Sequence, residues 1–280
     1  TTPPWQLVPP SREWAEALHG FEWIRHFEGL AGEAAKNHLH WLLMTWLESC
    51  GRWHADGWEP DVIARRLSAW CSHGRLLFEG GDMIWRSNLL RSMAFQARHL
   101  ARTAKHAEEG EPRLTAAIGL CISGVCLPDG GKRLEIGMAL LRQELERQIL
   151  TDGGHLSRCP QAQMRVLAGL ARLRDALAQR KRSIPGWLND VIAIMSPVLA
   201  FFRHGDGRLA LFNGASEGTA SSIDAILRRN EVPAQTISSV PATGYERLES
   251  GRTLILLDAG KPPAGASGVT AHAGCLAFER

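Results

Sequence analysis

The sequence predicts a mainly α-helical chain with a β-rich carboxyl-terminal part, and three observations carry that expectation. Apolar residues recur at helical spacing through about the first 200 residues. Gly, Pro and capping residues cut this pattern into segments of roughly 15–20 residues. After Phe202 the pattern changes to short strand-like runs separated by Gly, Ser, Asn and Pro.

Taken in order, Pro3, Pro4, Pro9 and Pro10 argue for an extended lead-in over residues 1–20. Phe21 to Leu30 is an aromatic amphipathic segment. The first clear helix runs from about Glu33 to Cys50, where Leu39, Leu42, Leu43, Trp46 and Leu47 share a face and Gly51 suits a C-cap. Pro60 suits the first turn of a helix that continues to about Phe78. Gly80-Gly81 break the chain, and Asp82 caps a long helix bounded by Gly110 and Pro112. Helices at about 113–126, 132–150, 161–180 and 187–203 follow. About seven successive helices with short connections and no repeating motif fit an α/α toroid, in which helices alternate between an inner and an outer ring. A simple bundle is the alternative.

Residues 1–205 are therefore assigned to the toroid, and 206–280 to a second, β-rich domain. Within it, Arg208–Phe212, Gln235–Val240, Tyr245–Leu248 and Thr253–Asp258 read as strands, with one helix at about Ser221–Arg229. The closing C-L-A-F-E-R reads as the beginning of another strand. So few strands leave open edges, and the expectation is that further chain, or a second copy of the protein, covers them.

Composition narrows the function classes. Apolar residues at 45% and charged residues at 22% are ordinary for a protein with a real core. A net charge of +3 without a concentrated basic stripe argues against nucleic acid. No apolar run approaches the ~18–20 residues of a membrane span, and no secretory leader is visible. Seven of the 10 tryptophans precede residue 60. The 6 cysteines form no C-x-x-C pair and read as small buried hydrophobes, neither a disulfide framework nor a zinc site.

Candidate site residues concentrate on connections. His155 and Arg158 lie three apart on the Gly-hinged stretch Q-I-L-T-D-G-G-H-L-S-R-C-P, suited to holding an anionic substrate. Arg203 and His204 sit together in R-H-G-D-G, where Asp206-Gly207 also reads as a turn. Trp53 and Trp58 flank His54 on one loop, either as a sugar-stacking rim or as staples between helices. His38 and His40 point to different faces of a helix and make a poor metal pair.

Three stretches resemble the heparinase II/III family of polysaccharide lyases. D-G-G-H-L-S-R-C-P-Q-A-Q is similar to the family's D-G-G-H-x-E-x-S-P-x-Y-H: Asp152, Gly153, Gly154, His155 and Pro160 match, Ser157 stands where an acid is frequent, and Ala162-Gln163 replace the Tyr-His pair. T-A-H-A-G-C-L-A-F resembles H-x-H-x-D-x-x-S-F, with His272 and Phe278 in register but Thr270 for the first histidine and Gly274 for the acid. F-F-R-H-G-D-G-R-L-A-L-F-N-G looks like the family's junction between toroid and β domain. The resemblance implies an α/α toroid followed by the start of a β-sandwich, and an acidic polysaccharide or oligosaccharide as the bound partner. It also implies a periplasmic setting, whereas unpaired cysteines are equally at home in the cytoplasm.

The activity implied is β-elimination on a uronic-acid-containing glycan. Such an enzyme neutralises a carboxylate, removes the neighbouring C5 proton and expels the glycosidic oxygen at C4. His155 and His204 are candidates for base or proton-neutralising contact, Arg158 and Arg203 for the carboxylate clamp. Trp53 and Trp58 would line the substrate groove, and His272 would be a weak ligand for a divalent metal such as zinc in a complete β domain. Tyr245, the only tyrosine, sits in a strand setting that favours a structural role. The rival reading is a glycan-binding or structural toroid protein without catalysis. A toroid glycoside hydrolase ranks last, because Asp152 and Asp206 both sit in turns and no carboxylate pair is evident.

Overall fold

The computed structural model describes residues 2–30, 32–230, 237–262 and 277–279. The chain divides into two compact units, Thr1–Leu141 and Arg142–Arg280. The division falls inside a continuous helix, α7 (Gly131–Gln148).

The first unit contains α1 (Arg12–Gly20), α2 (Glu33–Cys50), α3 (Pro60–Ser72), α4 (Gly74–Phe78), α5 (Met83–Thr103) and α6 (Glu111–Cys126), and it reaches the first half of α7. The extended lead-in gives way to helix earlier than expected: the prolines end at Pro10, and Ser11 then caps α1 by accepting from Trp14 N at 3.1 Å. The helix anticipated over 60–78 is broken at His73, whose ψ of 25° turns the chain into α4.

The tryptophan-rich start builds the core of this unit. Phe21, Trp46 and Trp70 are fully buried and meet edge to face at 5.3–5.6 Å, the geometry that aromatic quadrupoles prefer. Leu39, Leu42, Leu43, Trp46 and Cys50 form the buried face of α2, as its spacing requires. Helix α6 is buried along most of its length and packs tightly on α3. Gly119 makes that approach possible, since a β-carbon there would lie 2.5 Å from Ala64 Cα and 2.8 Å from its carbonyl oxygen.

The second unit holds the rest of α7, then α8 (Pro160–Gln179), α9 (Gly186–Phe201) and α10 (Ala220–Arg229), and an antiparallel sheet of β1 (Ser239–Val240), β2 (Tyr245–Ser250), β3 (Thr253–Asp258) and β4 (Ala277–Glu279) in the order β1-β2-β3-β4. A hairpin through Gly251, at φ +59°, sets the register Ser250↔Thr253 to Tyr245↔Asp258. The strand expected over 208–212 does not form. Leu209 bridges only Arg203, and Ala210 donates to Phe202 O at 2.9 Å, so this stretch spends its hydrogen bonds on neighbouring loop and helix end. Its apolar alternation serves instead to bury Leu209, Ala210 and Phe212. The expected strand from Gln235 is reduced, within the described residues, to Ser239–Val240.

Ten α-helices followed by a four-stranded sheet, counted over the described residues, make this a mainly α chain with a β-rich carboxyl-terminal part. Gly119→Ala should expose the constraint between α3 and α6. Alanine ordinarily favours a helix by about 1 kcal/mol, yet here overpacking should lower stability by about 1–3 kcal/mol. Urea unfolding midpoints would measure it against Gly131→Ala, where nothing lies near the added carbon.

Candidate functional site

The Gly-hinged loop joins α7 to α8 and folds back on itself through Leu156 N to Gln148 O (2.8 Å) and Leu150 N to Gly154 O (2.8 Å). Gly153, at φ +89°, lies against Ile194 O, and Gly154 against Thr243, so neither position has room for a side chain. Asp152 is committed to the same neighbourhood. Its carboxylate accepts from Thr243 N at 2.7 Å, Thr243 Oγ1 at 2.8 Å and Gly154 N at 3.1 Å.

His155 faces inward, 2% exposed. Ser157 N donates to its Nδ1 at 3.1 Å, which leaves the ring proton on Nε2, 3.1 Å from Gln148 Oε1. Burial pushes its pKa down to about 4, so the ring is neutral over the physiological range. Gln163, which the sequence reading counted as a lost histidine, is the clamp of the loop. Its side chain accepts from His155 N at 2.8 Å and donates to Gly153 O at 2.9 Å and Met195 O at 3.0 Å.

Arg158 is likewise turned inward, on a left-handed backbone at φ +58°. Its guanidinium pairs with Asp258, donates to Thr243 O at 2.7 Å and Lys261 O at 2.5 Å, and lies over the Tyr245 ring at 4.9 Å. Its carbonyl accepts from Tyr245 Oη at 2.8 Å and from Asn213 Nδ2 at 3.1 Å. Tyr245 is fully buried, and desolvation, with Asp258 nearby, pushes its pKa up. The groups that a β-elimination would recruit here are thus engaged in joining the loop to the sheet.

The remaining sequence candidates divide. Arg203 forms an ion pair with Asp224 at 2.6 Å. His204 closes a turn, its carbonyl accepting from Gly207 N at 2.9 Å, and it lines an open cavity of about 690 Å³ with Asp206, Arg208, Glu217 and Arg252. Trp53 is 71% exposed. Trp58 is not part of an open rim: it is buried, donates from its indole to Cys50 O at 2.8 Å and packs on Phe95 and His99. It is a staple between helices. His272 lies outside the described residues.

Sequence reasoning missed a groove of about 1020 Å³ in the first unit, between the carboxyl-terminal part of α2 and α5 as far as Arg98. Trp85, Phe95, Met44 and Leu47 give it apolar walls, and Arg52, Arg91 and Arg98 bring three exposed cations. Glu48 and Asp82 also line it. Among the described residues none of the three arginines is held in an ion pair. The signal was present as arginines at 91 and 98, two turns apart on one helical face, but α5 was read for its buried stripe alone.

The buried loop makes two predictions. The unfolded chain takes up a proton on His155 near its ordinary value of 6.5, the folded chain only near 4. Between these values the unfolded state binds more protons, so stability falls as pH drops through that window, by at most about 3 kcal/mol from this group. Equilibrium unfolding of His155→Gln from pH 7 to 4 should lack this share of the slope. Arg158→Met should cost about 3–5 kcal/mol at neutral pH, because Asp258 is left without its partner; thermal unfolding would read it.

Residues 233–279 match the family model described as Heparinase II/III-like, C-terminal. FtsZ-localized protein C of Caulobacter vibrioides is 31% identical over 277 residues, covering 99% of this chain and 48% of that protein. The crystal structure of heparinase III superposes with a TM-score of 0.71 at 16% identity, over 92% of this chain and 47% of that one. Heparan sulfate lyase HepC from Pedobacter heparinus superposes at 0.61 with 17% identity, over 98% and 49%. The chain spans about half the length of these relatives. Its fold is that of heparinase III, an α/α toroid with a β domain. Residues 233–279 are thus a heparinase II/III-like C-terminal segment, carried on a chain with the fold of heparinase III.

Proposed function

We propose that the chain is a glycan-binding, non-cleaving member of the heparinase II/III-like proteins, and that the first unit's groove takes an acidic oligosaccharide. The observation that carries the reading is the pairing of aromatic walls, Trp85 and Phe95, with Arg52, Arg91 and Arg98. Flat rings suit sugar C–H faces, and guanidinium groups match carboxylate or sulfate in bidentate fashion. The opposite commitment of His155, Arg158 and Tyr245, all buried and hydrogen-bonded, supports binding over β-elimination at the Gly-hinged loop. The name of the Caulobacter relative, which is FtsZ-localized, supports a setting near FtsZ.

A second reading, lyase action on a uronic-acid-containing glycan, draws on the heparinase III fold and on His204, which stays open to a cavity with Arg208 and Arg252. One experiment separates the two. Oligosaccharides of heparan sulfate, hyaluronan, chondroitin and alginate would be titrated by calorimetry while ultraviolet absorbance follows the unsaturated uronate product. The expected result is salt-sensitive binding without product, weakened about tenfold, or about 1.4 kcal/mol, in the Arg91→Ala/Arg98→Ala double variant. Product that accumulates with the wild type and is lost in His204→Ala would establish the lyase reading instead.

A further inference from the structure

Three metal-ligating side chains of the first unit converge beside the aromatic core: His19 near the end of α1, Cys50 at the last position of α2, and His54 on the loop before α3. Each offers one ligand atom, and these atoms lie within 4.8 Å of one another. We infer that His19, Cys50 and His54 form a binding site for one soft transition-metal ion, and that singly charged Cu(I) fits it better than Zn(II).

The donor set is one thiol and two imidazoles, which suits copper or zinc and not the oxygen-seeking Mg²⁺ or Ca²⁺. Metal–ligand bonds of about 2.0–2.3 Å put ligand atoms roughly 3.4–3.8 Å apart, so the cluster closes by at most about 1.4 Å. His54 can supply that movement, being half-buried on a loop, whereas His19 and Cys50 are 2% and 1% exposed. Outer contacts orient the ligands. The Trp58 indole holds the Cys50 carbonyl at 2.8 Å, and Gly57 N donates to His54 Nδ1 at 3.3 Å, so a metal at Nδ1 displaces that long bond and a metal at Nε2 moves the ring proton to Nδ1.

Charge selects the ion. Arg66 is fully buried in the same neighbourhood, bonded to His19 O (2.8 Å), Gly57 O (2.9 Å) and Gln96 Oε1 (2.7 Å), and its Nη2 has no hydrogen-bond partner among the described residues. Its neighbours are neutral. The nearest acid felt at His19 is Asp56, half-buried on the His54 loop. On ligation the thiol releases its proton to solvent. Cu(I) with one thiolate is neutral, so the pocket keeps the charge it had, whereas Zn(II) adds a full positive charge beside an unpaired guanidinium.

Binding reports on itself. The Trp46 indole donates to His19 Nδ1 at 3.0 Å. A metal at Nδ1 displaces that bond, and a metal at Nε2 moves the ring proton to Nδ1, facing the indole N–H. Either way the surroundings of Trp46 change.

The test is an anaerobic titration of the whole chain with Cu(I) against a colorimetric chelator, and with Zn(II) against a zinc dye, in wild type, His54→Gln and Cys50→Ala. The expected result is one equivalent of Cu(I) with a change in tryptophan fluorescence, and affinity more than about 100-fold weaker in both variants. His54→Gln changes a half-buried loop residue, so its circular dichroism should match wild type and its loss of binding can be read as loss of a ligand. Unchanged Cu(I) affinity and fluorescence in His54→Gln would overturn the site. Zn(II) captured as tightly as Cu(I), and lost in His54→Gln, would overturn the preference for a singly charged ion.

Discussion

The second unit depends on one buried cation. Arg158 carries its charge into a place only 7% exposed, where an unpaired guanidinium would cost several kcal/mol. Asp258 supplies the counter-charge, the carbonyls of Thr243 and Lys261 take further protons, and the Tyr245 ring covers the face. These partners come from β3, from the turn before β2 and from the segment after β3. Residue 158 therefore determines where the sheet meets the connection between α7 and α8. The left-handed backbone at Arg158 is the strain that this geometry accepts.

The first unit handles a buried arginine differently. Arg66 has no carboxylate; it lies 4.4 Å over the Trp46 ring and bonds to two carbonyls and a glutamine. Burial lowers its pKa to about 9, which is the measure of how poorly neutral dipoles replace water around a full charge. Arg158 is a completed joint, whereas Arg66 leaves a donor unspent beside a thiol and two imidazoles.

The same contrast separates the two regions that suggested function. The Gly-hinged loop has the residue types of a catalytic centre, but its polar atoms face one another: Asp152 with Thr243, His155 with Gln148 and Ser157, Gln163 with three backbone groups. The groove between α2 and α5 has a plainer set of residues, yet its arginines remain exposed next to apolar walls. Availability separates these regions more sharply than residue type does.

The sequence by itself determined the helical run, most element boundaries, and the change to strands after Phe202, because the 3.6- and 2-residue periods are local signals that Gly, Pro and capping residues punctuate. It also marked Gly153-Gly154 as a turn between two helices, since paired glycines interrupt a helical pattern. It misread residues 208–212, where burial without a pairing partner imitates a strand, and α1, where four prolines masked a helix starting at Ser11. Only the tertiary structure decided which polar residues were spent. Arg158 meets Asp258 across 100 positions, and Cys50 and His54 meet His19 from another helix. No periodicity records such pairings, because they are products of how helices and sheet pack together.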